Sequence, residues 1–508
     1  MNGVYTADQV RAAEGAMQAT VADGVLMRRA AAGLAAHVRG FLGAGYGRRV
    51  VLLVGAGDNG GDVLWAGAGL RRRGAHVTAL LLVPDRAHPA GLAALRAARG
   101  RVLPVTDDTL DDARARVADA DVVVDGIVGI SGRPGLRDPA PALVAAADDA
   151  GVPIVACDLP SGVDTDTGGT DGPHVRAART VTFGTRKAVH ALAAPVCGPV
   201  RLVDFGLGPY LGEPHAWLLD DADAGIRWPV PGPDDDKYSQ GVVGIAAGSA
   251  TYPGAAVLAA GAAALSTSGM VRFAGSAADE VRRHRPEIVA TGDITDAGRT
   301  QAWAVGPGIG TGDGGRSVLE AVLHRGVPTC VDADGITLLA EHADLRDRVA
   351  GEPVVLTPHA GEFARIAGEV GTDRIGAARR AAAELGVTVL LKGHATVVAA
   401  PDGRALVDPA GDSWAATAGS GDVLTGMIGA LLAAGLEPWW AAGCATLVHA
   451  RAATLAAHAH GSPPVPAPAS ALQAALPDAI RGVRAAAGAA GTPARGGRGT
   501  PVGGSGMR

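Results

Sequence analysis

Short apolar runs that stop at a glycine-rich or acidic turn recur along most of this chain. That repetition restricts the fold more than any single motif does. In the first half the runs are Val50–Val54, Val77–Val83, Val102–Val105, Val122–Asp125 and Val152–Asp158, with helical stretches such as Gly91–Arg99 and Asp107–Ala118 between them. Two helical patterns over Thr6–Arg39 precede them. In the second half a new series starts at Val242 and continues with Ala302–Val305, Thr329–Val331, Val354–Leu356, Thr388–Leu391 and Val397–Ala400. Strand then helix, repeated, calls for an α/β fold: a parallel sheet with helices on both faces. Ligands in such folds gather at the carboxyl ends of the strands. A chain of 508 residues is long for one core, so two domains are expected. The expected divisions are 1–215, a Pro- and Asp-rich linker at 216–236, a second domain at 237–485, and a disordered tail at 486–508. That tail is Gly, Ala, Pro and Arg without an apolar period.

The net charge of −6 and the lack of a long basic run argue against a nucleic-acid partner. Four cysteines (Cys157, Cys197, Cys330, Cys444) are widely spaced and form no CxxC, which speaks against a disulfide framework or a metal cluster and fits a reducing cytoplasm. Early charges at Asp8, Arg11 and Glu14 leave no signal-peptide core. Residues 241–271 lack charge, but Pro253 and many small residues interrupt them. They read as strand, turn and helix rather than a membrane span.

The most chemically pointed run is Ala415–Gly435, AATAGSGDVLTGMIGALLAAG. Glycines let the backbone turn tightly, and the following helix offers unpaired amides with partial positive charge. Gly419, Ser420 and Gly421 therefore suit an anion hole for phosphate, and Asp422 in the first helical turn suits a base for a substrate hydroxyl. Alone, Asp422 reads equally well as an acid favoured by the helix dipole. The other polar signals also fall at strand ends. Asn59 and Asp62 follow the first strand. Asp125 precedes GISGRPG (Gly129–Gly135), and Asp158 opens DLPSGVD. Carboxylate, amide and hydroxyl oxygens converging there suit a hard cation, although each is also a common turn residue. GAGDNGGD contains the GxGxxG spacing from Gly55 to Gly60, but no acid ends the second strand as a dinucleotide site requires. In the second half GPGIG can be a tight turn only, His359 can cap a helix, and Lys392 can be a solvated strand-end lysine. Lys392 beside Gly393 is also how loops hold phosphate.

The runs VGAGDNGGD, VVDGIVGISGRPG, ACDLPSGVDTDTG and VTFGTRKAVH resemble the epimerase domain of the bifunctional NAD(P)H-hydrate repair enzymes, over residues 1 to about 215. The resemblance implies a Rossmann-like domain. It implies a potassium ion held by Asn59, Asp125 and Ser161. The hydrated nucleotide would lie at Asp58, Asn59, Gly60, Gly61 and Asp62, at Gly129, Ile130, Ser131, Gly132, Arg133, Pro134 and Gly135, and at Asp158, the acid/base of epimerisation. Asp58, Gly129-Ile130-Ser131 and Arg28 depart from the usual residues, and a weakened epimerase is one reading of that.

KYSQGVVGIAAGSATYPGAA, VGPGIGTG, VDADGITLLA, VLTPHAGEF, VLLKGHATVV and ATAGSGDVLTGMIGAL resemble the dehydratase domain of the same enzymes, a ribokinase-like fold. That resemblance implies hydrated nucleotide at Ala255, Gly308 or Gly310, His359 and Asp422, and an adenine nucleotide at Lys392, Gly393, His394, Ala395, Thr396 and Gly421. Gly411-Asp412-Ser413 and Tyr238 depart from the pattern. The implied partners are hydrated NADH or NADPH and ADP or ATP with magnesium, in a homo-oligomer with no nucleic acid and no membrane. The implied reactions are epimerisation of the two hydrates and ADP-dependent dehydration of one of them, releasing AMP and phosphate. A small-molecule kinase that stops at a phosphoester, and a nucleotide-binding regulator without turnover, are the alternatives.

Overall fold

The computed structural model describes residues 1–409 and 412–490. Gly411 and the part of the expected tail beyond 490 lie outside the described residues.

Valine and leucine fill the strands of the first half on both faces, which is why these strands read as continuous apolar runs rather than alternating ones. Seven strands form one sheet in the order Arg101–Pro104, His76–Leu81, Arg49–Val54, Val122–Gly126, Ile154–Cys157, Arg179–Phe183, Val200–Val203, with every pair parallel. Side chains alternate between two cores: Leu52, Val54 and Val124 pack with Val63 and Leu64 on one face, and Val51, Leu53 and Val123 with Leu143 and Ile154 on the other. The chain order reverses between Arg49–Val54 and Val122–Gly126, so a crevice opens at their carboxyl ends. The helix Asp58–Arg72 starts there.

The second half repeats the scheme. Its parallel strands run Val289–Thr291, Met270–Ala274, Val242–Ala246, Ala302–Val305, Thr329–Val331, Val354–Leu356, Thr388–Leu391, followed by antiparallel Ala395–Ala399 and Ala405–Pro409. Here the order reverses between Val242–Ala246 and Ala302–Val305. The helix Ser420–Ala433 is buried along almost its whole length, against the helix Pro253–Ser266 and the strand Ala302–Val305. Gly426 allows this contact, because a Cβ there would overlap the Ala259 carbonyl.

Residues 216–236 are not a free linker. Ala216–Leu218 is a strand, parallel to Ala405–Pro409 on one side and antiparallel to Asn2–Tyr5 on the other. Arg186–Lys187 then pairs with Val4–Tyr5, so the sheet of the second half ends on two strands from the first. Asp220 caps the helix Asp221–Arg227, which packs along Ala469–Ala490, and the Trp228 indole donates to the Ser266 carbonyl at 3.0 Å. Polar composition hid this segment, because a three-residue strand and a two-turn helix carry too few apolar positions to show a period. The tail expected from 486 likewise begins too early, since its first five residues continue the helix Ala469–Ala490.

Candidate active sites

In the first half, Asp158 ends its strand with φ of 68°, a left-handed backbone that is costly outside glycine. The turn is held from several directions. Lys187, which is 1% exposed, donates to Asp158 Oδ1 at 2.5 Å, and Thr182 Oγ1 donates to the same oxygen at 2.9 Å. His190 receives the Lys187 amide on Nδ1 at 3.0 Å, so Nε2 carries the proton and donates to the Asp158 carbonyl at 2.8 Å. Burial pushes His190 down to about 4 and keeps it neutral. Burial alone would lift the Asp158 carboxyl, but Lys187, with help from Thr182, holds it below the usual range. Asp158 is therefore an ionised carboxylate at the floor of a cavity of about 880 Å³.

That cavity is lined by Asp58, Asn59 and Asp62, by Gly129, Ile130 and Ser131, and by Glu14 and Arg28. Gly60 and Gly61 lie beneath it, packed on the Gly55 carbonyl and on His88. Gly132–Gly135 do not line it: they turn back at Gly132 and run to Gly162, whose carbonyl accepts from the Gly135 amide. Below the cavity, Asp125 is fully buried. Its Oδ1 accepts from Ser161 Oγ at 2.7 Å and from the Ile127 amide at 3.1 Å, and Oδ2 accepts from the Ser161 amide at 2.8 Å. Burial raises its carboxyl to about 6 against these hydrogen bonds. Asn59 packs against Gly129, with its Nδ2 buried and unpartnered.

In the second half, Gly419 adopts φ of 86° and the helix begins at Ser420. Ser420 Oγ donates to the Ala415 carbonyl at 2.6 Å, and its own carbonyl takes the proton of His449 Nε2 at 2.9 Å. Both contacts brace the loop from behind. Asp422 makes no side-chain hydrogen bond or ion pair among the described residues. Burial raises its carboxyl to about 6; Asp332 and Asp334 add to that and Lys392 opposes it. Lys392 reaches Asp332 Oδ1 at 2.7 Å, while Thr425 Oγ1, one turn along the same helix, donates to Asp332 Oδ2 at 2.7 Å. Asp332 and Lys392 thus stand beside Gly421 and Asp422. Ala333, between Asp332 and Asp334, has φ of 50°, a strained turn like that at Asp158.

Ala255 and Gly308 meet, with Tyr252 over them, whereas Gly310 faces open space and donates its amide to Asp334 Oδ2 at 2.9 Å. His359 does cap a helix: Nδ1 accepts from the Gly361 and Glu362 amides at 2.9 and 3.3 Å, and its ring stays exposed beside Glu362. Of Lys392–Thr396, Gly393 lies against the Arg374 guanidinium and Ala395 is sealed in the core. His394 turns toward the first half, its Nε2 2.8 Å from the Leu192 carbonyl. A smaller cavity of about 270 Å³ opens by Val327, Thr329 and Val354, at the amino ends of the strands and away from this chemistry. Lys187, His190, Asp332 and Thr425 lie inside recognisable motifs, yet nothing local in the chain marks their roles. Their pairing is set by tertiary packing.

A family model described as "YjeF-related protein N-terminus" matches residues 23–189, and one described as "NAD(P)H-hydrate dehydratase" matches 243–475. The bifunctional NAD(P)H-hydrate repair enzyme of Mycobacterium tuberculosis (strain CDC 1551 / Oshkosh) is 54% identical over 443 residues, covering 86% of this chain and 90% of that protein. This chain belongs to the bifunctional NAD(P)H-hydrate repair enzyme family. The Mycobacterium leprae enzyme of the same name is 52% identical over 475 residues, 92% of this chain and 97% of that one. Among solved structures, an ADP/ATP-dependent NAD(P)H-hydrate dehydratase from Bacillus subtilis, co-crystallised with ATP and magnesium, aligns at 27% identity and a TM-score of 0.46, over 53% of this chain and 99% of its own. The two matched ranges fall on the two sheets, each of which has one switch-point crevice.

Proposed function

We propose that this chain repairs hydrated NADH and NADPH. Its first half interconverts the two epimers, and its second half uses ADP to dehydrate one of them. The observation that carries the reading is the placement of Asp422, an unengaged carboxyl at the mouth of a glycine-opened helix and beside Lys392. Hydroxide leaves poorly, so the hydroxyl must first become a better leaving group. Asp422 takes the hydroxyl proton as its oxygen attacks the terminal phosphoryl of ADP, AMP departs, and phosphate is then lost from the ring. The Gly419 and Gly421 amides remain for the charge that builds on the phosphoryl oxygens, whereas the Ser420 amide is already given to the Thr417 carbonyl at 3.2 Å. Lys392 offers a point charge, and Asp332 and Thr425 fix where it stands.

The donor sets fit the expected ions. Asp125, a fully buried carboxyl, lies with Ser161 Oγ and the Val128 carbonyl in an all-oxygen cluster next to Asn59, suited to potassium, which would neutralise the carboxylate. Asp332, Asp334, Glu362 and Asp422 surround one lysine, a surplus of acid that suits a nucleotide carrying magnesium. Four free, buried thiols suit a reducing cytoplasm. A homo-oligomer is part of the proposal.

The test is to incubate both purified epimers of hydrated NADH with the protein, ADP and magnesium, and to follow the reduced-nicotinamide absorbance while assaying AMP and phosphate. Full recovery from both epimers is the expected result. Recovery of one epimer alone overturns the epimerase half. A stable phosphoester in place of NADH overturns dehydration in favour of a kinase.

A further inference from the structure

The cavity of the first half holds a second carboxyl whose surroundings are the reverse of those of Asp158. Asp62 projects from the helix Asp58–Arg72, and its Oδ1 is buried without a hydrogen-bond partner. Asn59 Nδ2, one turn earlier, is also buried and unpartnered, and both residues line the same cavity. Two polar atoms without a partner among the described residues, both on residues that line one cavity, mark the place of a ligand.

Around Asp62 stand Asp158 from the neighbouring strand end, Asp58 from its own helix and Glu14 from the helix Ala7–Gln18. Lys187 is the opposing cation, and it is already spent on Asp158. His88 lies over the adjacent Gly61, and Arg11 and Arg28 line the same cavity. Burial, and then these three like charges, drive the Asp62 carboxyl well above its usual range. The dipole of its own helix, worth about 0.3–1 kcal/mol near a surface, opposes this weakly. Of the two carboxyls, Asp62 therefore keeps its proton more readily, while Lys187 favours the ionised form of Asp158.

We infer that Asp62 is the general acid of epimerisation and Asp158 its base. The inference rests on reading the first half as the hydrate epimerase. Water added across the carbon–carbon double bond next to the ring nitrogen leaves a hydroxyl on the carbon bonded to that nitrogen. Asp62 gives its proton to this hydroxyl. The C–O bond breaks, its electron pair leaves with oxygen as water, and the nitrogen lone pair closes a C=N⁺ bond. Water returns to the opposite face and forms the new C–O bond while nitrogen recovers its pair, and Asp158 accepts the excess proton. Return of that proton to Asp62 through water resets the pair, with no oxidant or reductant involved. Two carboxyls in one pocket whose surroundings push their proton affinities apart are the arrangement such a step requires.

The test uses the full chain and the separated epimers without ADP, following interconversion by chromatography. Asp62→Asn keeps the shape and loses the proton, so kcat falls roughly a hundredfold to ten-thousandfold while KM changes only a few-fold. Wild-type kcat/KM falls at alkaline pH as Asp62 ionises, and Asp62→Glu restores both rate and limb in part. An Asp62→Asn chain that melts like wild type and epimerises at the wild-type rate overturns the assignment. If that variant does not fold, a wild-type profile flat toward alkaline pH overturns it instead. No interconversion by wild type overturns the epimerase reading itself, a separate result.

Discussion

Two lysines set the charge of the two sites. Lys187 is sealed in and keeps Asp158 ionised; Lys392 is half-open and leaves Asp422 raised to about 6. As a base, Asp422 works only when ionised, so dehydratase kcat/KM should climb with pH through about 6 and then level off. Asp422→Asn should lower kcat roughly 10²–10⁴-fold and abolish that rise, as read from NADH recovery across pH 5 to about 8. At Asp125, potassium should raise the melting temperature relative to choline at equal ionic strength, and Asp125→Asn should erase the difference. An equal response in the variant would place the ion elsewhere. Residues in contiguous motifs, such as Asp158, Asp125 and Asp422, could be read from the chain because the strand end or helix start that presents each one is local. Partners supplied from far along the chain could not: Lys187 is 29 residues from Asp158, and Lys392 is 60 from Asp332.

At the scale of elements, glycine means different things in different helices. Gly426 lies against the Ala259 backbone, whereas Gly482 in Ala469–Ala490 faces open space. Gly426→Ala should therefore cost about 1–3 kcal/mol from overpacking and impair dehydration. Gly482→Ala should instead gain about 0.8–1 kcal/mol by helix propensity. Calorimetric melts of the two variants should shift in opposite directions. Most central strands were legible, because an apolar run ending at a glycine or an acid is a strong local signal; Arg179–Phe183 and Met270–Ala274, whose runs are interrupted by Thr and Arg, were not. The joint between the halves was not. Asn2–Tyr5, Arg186–Lys187 and Ala216–Leu218 have two to four residues each, and they are strands only because the sheet edge is there to receive them.

For the whole molecule, that shared edge makes the halves one mechanical object. Leu192 and Ala188 pack in the second half's core with Ala395, and His394 bonds to the Leu192 carbonyl. Magnesium–ADP, proposed above to bind the second half, should accordingly raise the melting temperature of the chain as a single transition, by the ordinary mass-action linkage. Two transitions, with only one of them moved by the nucleotide, would show that the halves melt apart. The interlock also orders the birth of the protein. The strand Asn2–Tyr5 leaves the ribosome before its partners Arg186–Lys187 and Ala216–Leu218, which follow roughly 10–40 s later at about 5–20 residues per second. The opening residues must stay unpaired and uncommitted until the epimerase core is nearly finished. They then become the seam onto which the dehydratase sheet is laid.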